Sequence, residues 1–315
     1  MYQFTLNQFT RDLSFPFFIQ YGKHENGLQL HSHKDFSELV IVLSGKAVHI
    51  VDNKQYPVAE GDVFVISKDT PHGYKEADQF RICNIMYQQD MLPSSSNDIT
   101  NSAGYQALFV IEPFYTMAYQ FTSFLKLSPS DFLKISAKVD NMIVEYTSNS
   151  EGRKTMLSSM FLNLVTTLSR LYSFEGTMET NDVFALAKSV SYIHSHFTEP
   201  LVVTELASLS GYSTRHFARL FKDTYGATPL DYILTLRLNL ALKLLTTTSS
   251  SVSEIGLSSG FDNPNYFSRL FRKRFGCSPS EYRSIHGTNR LGGNTLTDTV
   301  VFGRITGERT ATFTR

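Results

Sequence analysis

Two hydrophobic patterns divide this chain of 315 residues. In the first part, apolar and polar residues alternate in short runs such as ELVIVLSG, KAVHIV, DVFVIS and FRICNIMY, separated by turn residues. A period of two is typical of strands with one buried face, so residues 17–87 are predicted to form an antiparallel sandwich or small barrel. Beyond about Ser130 the period becomes that of amphipathic helices, and the predicted fold class is α+β.

The same patterns predict the domain boundaries. The strands and the polar segment after them make up a domain at 1–127, and residues 128–173 form helices for packing or dimerisation. The acidic, polar stretch SFEGTMETND suits a linker at 174–182. Residues 183–286 are predicted to be entirely helical, whereas the tail at 287–315, rich in Thr, Gly and Arg, is expected to be disordered.

The helical region contains an internal repeat. FARLFKDTYGATPLDY at 217–232 matches FSRLFRKRFGCSPSEY at 267–282, and the turns before them also correspond. In each copy a Gly ends one helix, and Ser213 or Asn263 with Pro264 begins the next. This is the pattern of a helix-turn-helix unit, and LDYILTLRLNLALKLL is predicted to connect the two units.

The second helix of each copy has an apolar and a polar face. The residues predicted to face inward are Phe217, Leu220 and Phe221 in copy one, and Phe267, Leu270, Phe271 and Arg274 in copy two. One amphipathic helix of this kind is usually only a solvated surface, but two basic-faced copies favour DNA reading. Arg can bond guanine and Asn can bond adenine on helices placed in successive turns of one major groove, about 34 Å apart.

Charge and cysteine usage narrow the class of protein. The 29 basic residues balance the 29 acidic residues, but the region 183–286 carries eleven basic against seven acidic residues. A net charge of +4 there and −4 elsewhere argues against a chain that coats nucleic acid indiscriminately. Cys83 and Cys277 suggest neither a disulfide framework nor a zinc finger, and no signal peptide or long apolar run occurs. We therefore expect a cytoplasmic protein without a membrane partner.

Residues 201–283 resemble the DNA-binding domain of the AraC/XylS family of bacterial transcription regulators. The family signature is matched by IGLSSGFDNPNYFSRLFRKRFGCSPSEYR, although Gly256 replaces the usual Ala at a cost of roughly 1 kcal/mol. Among the base-facing positions, Ala218 offers only apolar contact, and Arg219 and Arg269 suit base reading or the anchoring of a phosphate or carboxylate equally well. The residues expected to contact DNA are Ser213, Thr214, Arg215, Ala218, Arg219, Lys222, Asn263, Asn265, Ser268, Arg269 and Arg272.

The strand-rich region resembles a cupin domain. LHSHKDFSELVIVLSG is similar to the first cupin motif and GDVFVISKDTPH to the second, although DTP replaces the usual Pro-x-Gly turn. The resemblance implies that His31, His33, Glu38 and His72 converge inside a barrel. Three interpretations remain open: hydrogen bonding to a sugar beside aromatics such as Tyr74, ligation of Mn, Fe, Ni or Zn, or a purely structural role.

Together the two resemblances imply a sequence-specific transcriptional regulator, usually an activator, of a sugar-utilisation operon. HKDFSELVIVLSG and FRICNIMYQ are similar to rhamnose-responsive members of the family, so L-rhamnose or a related sugar is the expected effector. Promoter DNA, RNA polymerase and a second copy of the chain are the expected partners, with no enzymatic activity and no cofactor. The alternative is a metal-dependent cupin enzyme, such as a sugar isomerase or dioxygenase, with a regulatory helical domain.

Overall fold

The computed structural model describes residues 2–10, 12, 14–25, 27–51, 54–93, 97–113, 125–172 and 181–286. The predicted tail and most of the predicted linker lie outside these residues. The chain divides into two compact units, Met1–His196 with Leu201–Tyr232, and Phe197–Pro200 with the described residues after Tyr232. No helix in the described ranges is long and apolar enough to cross a membrane.

Eight described strands form one sheet. They are β1 (Tyr2–Phe4), β2 (Phe17–Lys23), β3 (Leu28–His33), β4 (Ser37–Val51), β5 (Lys54–Ala59), β6 (Asp62–Ile66), β7 (His72–Tyr87) and β8 (Leu125–Lys126). The order is β1-β3-β7-β4-β6-β8, with β2 also paired to β7 and β5 to β4. The predicted α+β class is confirmed. Of the predicted sandwich or small barrel, the described strands form a sheet that is not closed, because its path ends at β1 and at the two-residue β8.

Two long strands form the centre of this sheet. β4 has 15 residues and β7 has 16, and they pair along most of their length. The sequence pattern divides β4 in two at Gly45, but the strand continues there with a φ of 73°. A Cβ atom at Gly45 would lie 2.2 Å from the carbonyl oxygen of Asp78, so glycine allows β7 to pass closely. Buried apolar residues form the core, among them Val40, Val42, Phe64, Phe80 and Ile82.

Helices make up the rest of the described chain. In order they are α1 (Ala103–Tyr105), continued as a π-helix (Gln106–Ile111), α2 (Pro129–Thr147), α3 (Arg153–Leu171), α4 (Asn181–His196), α5 (Val203–Leu209), α6 (Thr214–Tyr225), α7 (Pro229–Thr247), α8 (Val252–Ser258), α9 (Pro264–Phe275) and α10 (Pro279–His286). Short 3-10 turns lie at Leu6–Gln8, Gln89–Met91 and Asp98–Asn101. The sequence pattern predicts α2 and α3 but misses α1 and the π-helix, which are too short for a clear period.

Both predicted helix-turn-helix units are present. The first consists of α5 and α6, the second of α8 and α9, and their turns contain Gly211 and Gly260 with φ of 69° and 88°. A core of buried residues joins α7 to α10 in the second unit, including Leu238, Ala241, Ile255, Phe267 and Phe271. One predicted inward residue is wrong: Arg274 is exposed, because it lies in the last turn of α9, beyond the buried Phe271.

Candidate DNA-binding helices and effector site

Helix α6 is positioned by its caps and its apolar face. The Ser213 hydroxyl accepts a hydrogen bond from the backbone N–H of His216, and Gly226 ends the helix in the left-handed region. Phe217, Leu220 and Phe221 are buried, as predicted. The opposite face therefore points outward, and it exposes the side chains of Thr214, Arg215, Arg219 and Lys222, with Ala218 half-buried.

Helix α9 repeats this construction. Oδ1 of Asn263 accepts hydrogen bonds from the backbone N–H groups of Asn265 and Tyr266, at 2.9 and 3.1 Å. Gly276 forms the C-cap with a φ of 78°. Burial of Phe267 and Phe271 leaves a polar face outward, formed by Asn265, Arg269 and Arg272, with Ser268 half-buried. The side-chain oxygens of both predicted DNA-contacting cap residues are thus already used within the helix starts.

The two repeated arginines lie beside aromatic or imidazole rings. Nη2 of Arg219 lies 3.2 Å from Nδ1 of His216, and the guanidinium of Arg269 lies 5.6 Å from the centre of the Tyr266 ring. Within the described ranges neither arginine forms a salt bridge with a carboxylate. An intradomain carboxylate anchor, one of the three roles predicted for these arginines, therefore finds no partner among the described residues, and the base and phosphate contacts stay predictions.

A second candidate site lies on the N-terminal sheet, where His31, His33, Glu38 and His72 come together. One potential ligand atom from each residue lies within 4.8 Å of the others. β3 supplies both His31 and His33, which are two residues apart and so face the same side. His72 begins β7 and pairs directly with His31, while Glu38 lies near the start of β4. Residues 41 positions apart in the chain thereby share one small volume.

Hydrogen bonds orient the imidazole rings of this cluster. Nδ1 of His31 and of His72 lie 2.9 and 3.0 Å from the carbonyl oxygen two residues earlier in the chain. A carbonyl oxygen only accepts, so each Nδ1 carries a proton and each Nε2 points away from this hydrogen bond. Oε2 of Glu38 lies 3.3 Å from Nε2 of His33 and 3.6 Å from Nε2 of His72. Nδ1 of His33 is buried and has no hydrogen-bond partner among the described residues.

Burial controls the protonation of the cluster. It lowers the pKa of His31 and lowers the pKa of His33 to about 3. Burial alone would raise the pKa of Glu38, but its interactions with His72 and the other imidazoles outweigh burial and hold that pKa below its usual value. At neutral pH the structure therefore favours neutral His31 and His33 beside an ionised carboxylate, the forms that accept hydrogen bonds and bind metals.

The fifth predicted effector residue, Tyr74, lies two residues after His72 on β7, so the two side chains are on the same face of the sheet. Its buried ring stacks on that of His49 with 5.0 Å between centres, and the His49 ring lies 6.1 Å from His72. Burial raises the pKa of Tyr74 and lowers that of His49. His49 is absent from the sequence prediction, although alternation with the buried Ala47 and Val51 indicates that it faces inward.

Two domain families match the chain. Residues 206–285 match a helix-turn-helix domain, and residues 17–85 match a cupin domain. The second match covers most of the sheet and all four residues of the cluster. The first covers α6 and α9, which confirms the two kinds of domain predicted from the sequence.

The chain is also similar to known proteins over parts of its length. The transcriptional activator RhaR of Mannheimia succiniciproducens is 24% identical over 269 residues, which is 85% of this chain and 92% of the relative. The activator RhaS of Enterobacter sp. strain 638 is 29% identical over 252 residues, 80% of this chain and 86% of the relative. A solved AraC-type regulator from Chromobacterium violaceum is 38% identical, covers 34% of this chain and 95% of its own, and has a TM-score of 0.31. The two relatives are named as activators, in agreement with the expected absence of enzymatic activity.

Proposed function

Since the chain is an AraC-type DNA-binding regulator with a cupin domain, we propose that it activates a sugar-utilisation operon when a small sugar such as L-rhamnose binds. The observation that carries the DNA-binding part is the pair of capped helices, α6 and α9, each with a buried aromatic face and an exposed basic face. The sugar part rests on the buried polar cluster and on the resemblance of its strand motif to rhamnose-responsive regulators.

We propose that α6 and α9 contact the major groove of promoter DNA. The side-chain oxygens of Ser213 and Asn263 already cap these helices. These two residues would therefore contact a phosphate through backbone N–H groups or through the side-chain amide of Asn263. Ala218 would pack on a thymine methyl group. The exposed or half-buried polar residues proposed to reach bases or phosphates are Thr214, Arg215, Arg219, Lys222, Asn265, Ser268, Arg269 and Arg272.

Fluorescence anisotropy of the full chain on labelled duplexes tests this proposal. The duplexes are fragments from the region upstream of the operon, each paired with a scrambled duplex of equal length and composition, at one stated salt concentration. We expect one upstream fragment to bind about a thousandfold more tightly than its scrambled partner. Equal affinity for both, with and without sugar, would refute sequence-specific regulation.

For the effector we propose a site formed by the cluster and Tyr74. The imidazoles and the ionised Glu38 can accept hydrogen bonds from sugar hydroxyls, and the buried, stacked rings of His49 and Tyr74 beside them would supply apolar contacts. Calorimetry across a panel that includes L-rhamnose, other deoxysugars and plant-wall sugars tests this. We expect one sugar to bind, and Glu38→Gln to weaken it while the exposed Glu60→Gln does not. No binding across the panel would remove the sugar proposal.

A divalent transition metal is the second candidate ligand of this cluster. The bonded Nδ1–H groups leave Nε2 of His31 and His72 available, and three imidazoles with one carboxylate suit Mn, Fe, Ni or Zn. Ligand atoms around an ion at about 2.1 Å are roughly 3 to 4.2 Å apart, and the present atoms lie within 4.8 Å of one another. A bound ion would supply a positive charge for effector oxygens.

Elemental analysis of protein purified without chelators distinguishes this candidate. If the cluster binds a metal, the protein should contain about one ion per chain, His33→Ala should lose it, and the melting temperature should fall when EDTA is added. The half-buried His196 lies on α4, outside the cluster, so His196→Ala serves as the matched control and should retain the metal. Metal-free wild-type protein that does not gain thermal stability from added Mn²⁺, Fe²⁺, Ni²⁺ or Zn²⁺ would exclude it.

We also propose a homodimer and a contact with RNA polymerase. α2 and α3 expose Leu133, Val144 and Met156, apolar side chains that a second copy would cover.

The contact with RNA polymerase concerns the acidic residues near the second helix-turn-helix unit. Glu254 accepts a hydrogen bond from the backbone N–H of Ser251 in a capping box, so this acid has a role in the fold. The exposed Asp262 is therefore the better candidate for RNA polymerase.

A further inference from the structure

The first helix-turn-helix unit is hydrogen-bonded to the segment that follows the sheet. The hydroxyl of Tyr225, in the last turn of α6, donates to Oε1 of Gln106 at 2.9 Å. Nε2 of Gln106 donates in turn to the backbone oxygen of Thr100 at 2.6 Å, and Gln106 is only 4% exposed. The Gln106 amide thus joins the start of the π-helix to α6 with both of its polar atoms engaged.

Aromatic packing holds Tyr225 at this contact. Its ring lies 4.7 Å from that of Phe221 and 5.3 Å from that of Tyr232. The hydroxyl of Tyr232 lies 2.9 Å from Nε2 of His194 on α4, and α4 packs along the π-helix. Both α4 and α6 therefore contact the 98–112 segment, and π-helical turns of this kind occur frequently at functional positions.

The internal repeat isolates the atom that makes this contact. Tyr225 in copy one corresponds to Phe275 in copy two, and Tyr232 corresponds to Tyr282. The ring pairs are alike, with 4.7 Å between Phe221 and Tyr225 and 4.5 Å between Phe271 and Phe275. Because the repeated packing is made without a hydroxyl in copy two, the hydroxyl in copy one is accounted for by its bond to Gln106.

The division of the chain into two compact units agrees with this difference between the two copies of the repeat. Residues 201–232, which include α5 and α6, belong to the same compact unit as the sheet, whereas α8 and α9 belong to the other. We propose that Gln106 and Tyr225 are positioning residues through which the effector domain holds the first helix-turn-helix unit, so that effector binding acts on α6 and not on α9. The regulatory part of this inference rests on the proposed function. The contact itself does not.

Hydrogen–deuterium exchange on the full chain tests the contact without DNA or effector. In Tyr225→Phe we expect amides of α6 and of the π-helix to exchange about fivefold faster, a factor equivalent to the ~1 kcal/mol of an ordinary hydrogen bond. Amides of α9 should stay within twofold of wild type. Adding Tyr225→Phe to Gln106→Met should produce no further increase, because the partner is already missing.

The matched control is Phe275→Tyr, which adds the hydroxyl at the equivalent position of copy two and should leave exchange in α6 unchanged. Unaltered exchange of α6 in Tyr225→Phe, equal increases in α6 and α9, or additive effects in the double variant would each overturn the contact. The regulatory part is read from the ratio of DNA affinities with and without L-rhamnose, which Tyr225→Phe should bring toward one. An unchanged ratio would overturn it, whereas wild-type protein without any DNA preference would refute the proposed function alone.

Discussion

Arg237 of α7 holds the second compact unit together, and its replacement gives a sharp test of the packing described above. Nε of Arg237 donates to the backbone oxygen of Phe197 at 2.6 Å, and Nη2 donates to that of Glu199 at 2.7 Å. The turn at Gly260 closes over this contact, since a Cβ there would lie 2.9 Å from Nε and 2.7 Å from the Thr198 oxygen. One guanidinium therefore ties residues 197–200 to the turn that precedes α9.

The free energy that Arg237→Ala should cost depends on how exposed the two hydrogen bonds are to water. A hydrogen bond from a charged donor contributes about 1.5 to 3 kcal/mol when buried, but the bond to Glu199 is exposed, and water can replace it at little cost. The bond to Phe197 is partly buried, so most of the loss arises there. We expect Arg237→Ala to cost ~2 kcal/mol, which is roughly a 30-fold increase in the population of locally opened states.

Exchange mass spectrometry and circular dichroism measure this effect separately. Amides of α8, α9 and the 197–200 segment should exchange roughly 30-fold faster in Arg237→Ala, and Arg237→Lys should recover little, because ammonium cannot reproduce the forked geometry. Arg215→Ala, which removes an exposed arginine of α6, is the control and should leave these amides unchanged. An increase below twofold in Arg237→Ala would show that the two bonds do not hold this unit in solution.

Three further predictions concern DNA reading, packing and pH. Arg269→Ala should weaken DNA binding by ~1 to 3 kcal/mol in anisotropy titrations and relax selectivity at one base pair. Arg274→Ala on the same helix should change the affinity equally for all sequences or not at all. If both variants lose affinity equally for all sequences, Arg269 contacts a phosphate. Gly256→Ala should change the free energy of unfolding by less than ~0.5 kcal/mol. The new Cβ would lie 3.0 Å from the buried Phe267 ring, and this close contact would offset the gain in helix propensity. A gain near 1 kcal/mol in urea titrations would contradict this. In EDTA-treated protein, the unfolded chain binds a proton at His33 below pH 6.5 that the folded state takes up only near pH 3. Lowering the pH from 7 to 5 should therefore cost ~2 kcal/mol of stability through His33, and urea titrations should show a loss smaller by that amount in His33→Asn, where the other buried imidazoles still contribute.

The repeat shows how far sequence reasoning extends. Capping by Ser213 and Asn263, the glycine turns and the buried faces of α6 and α9 depend on neighbours within four residues, and all were predictable. The exposure of Arg274 was not, because it depends on where α9 runs past its packing partners. Similarly, β4 continues through Gly45 because β7 pairs with it on both sides of the bend, a long-range contact that a local turn signal does not contain.

The sequence by itself determined the two kinds of domain, the periodicity of their elements and the residue types at both candidate sites, because these depend on local spacing. Only the tertiary structure decided that His49 stacks on Tyr74 and that Tyr225 bonds Gln106, since these partners lie 25 and 119 residues apart. A hydroxyl in place of a hydrogen looks neutral in an aligned repeat. Its consequence depends on which distant side chain the fold brings within hydrogen-bonding distance.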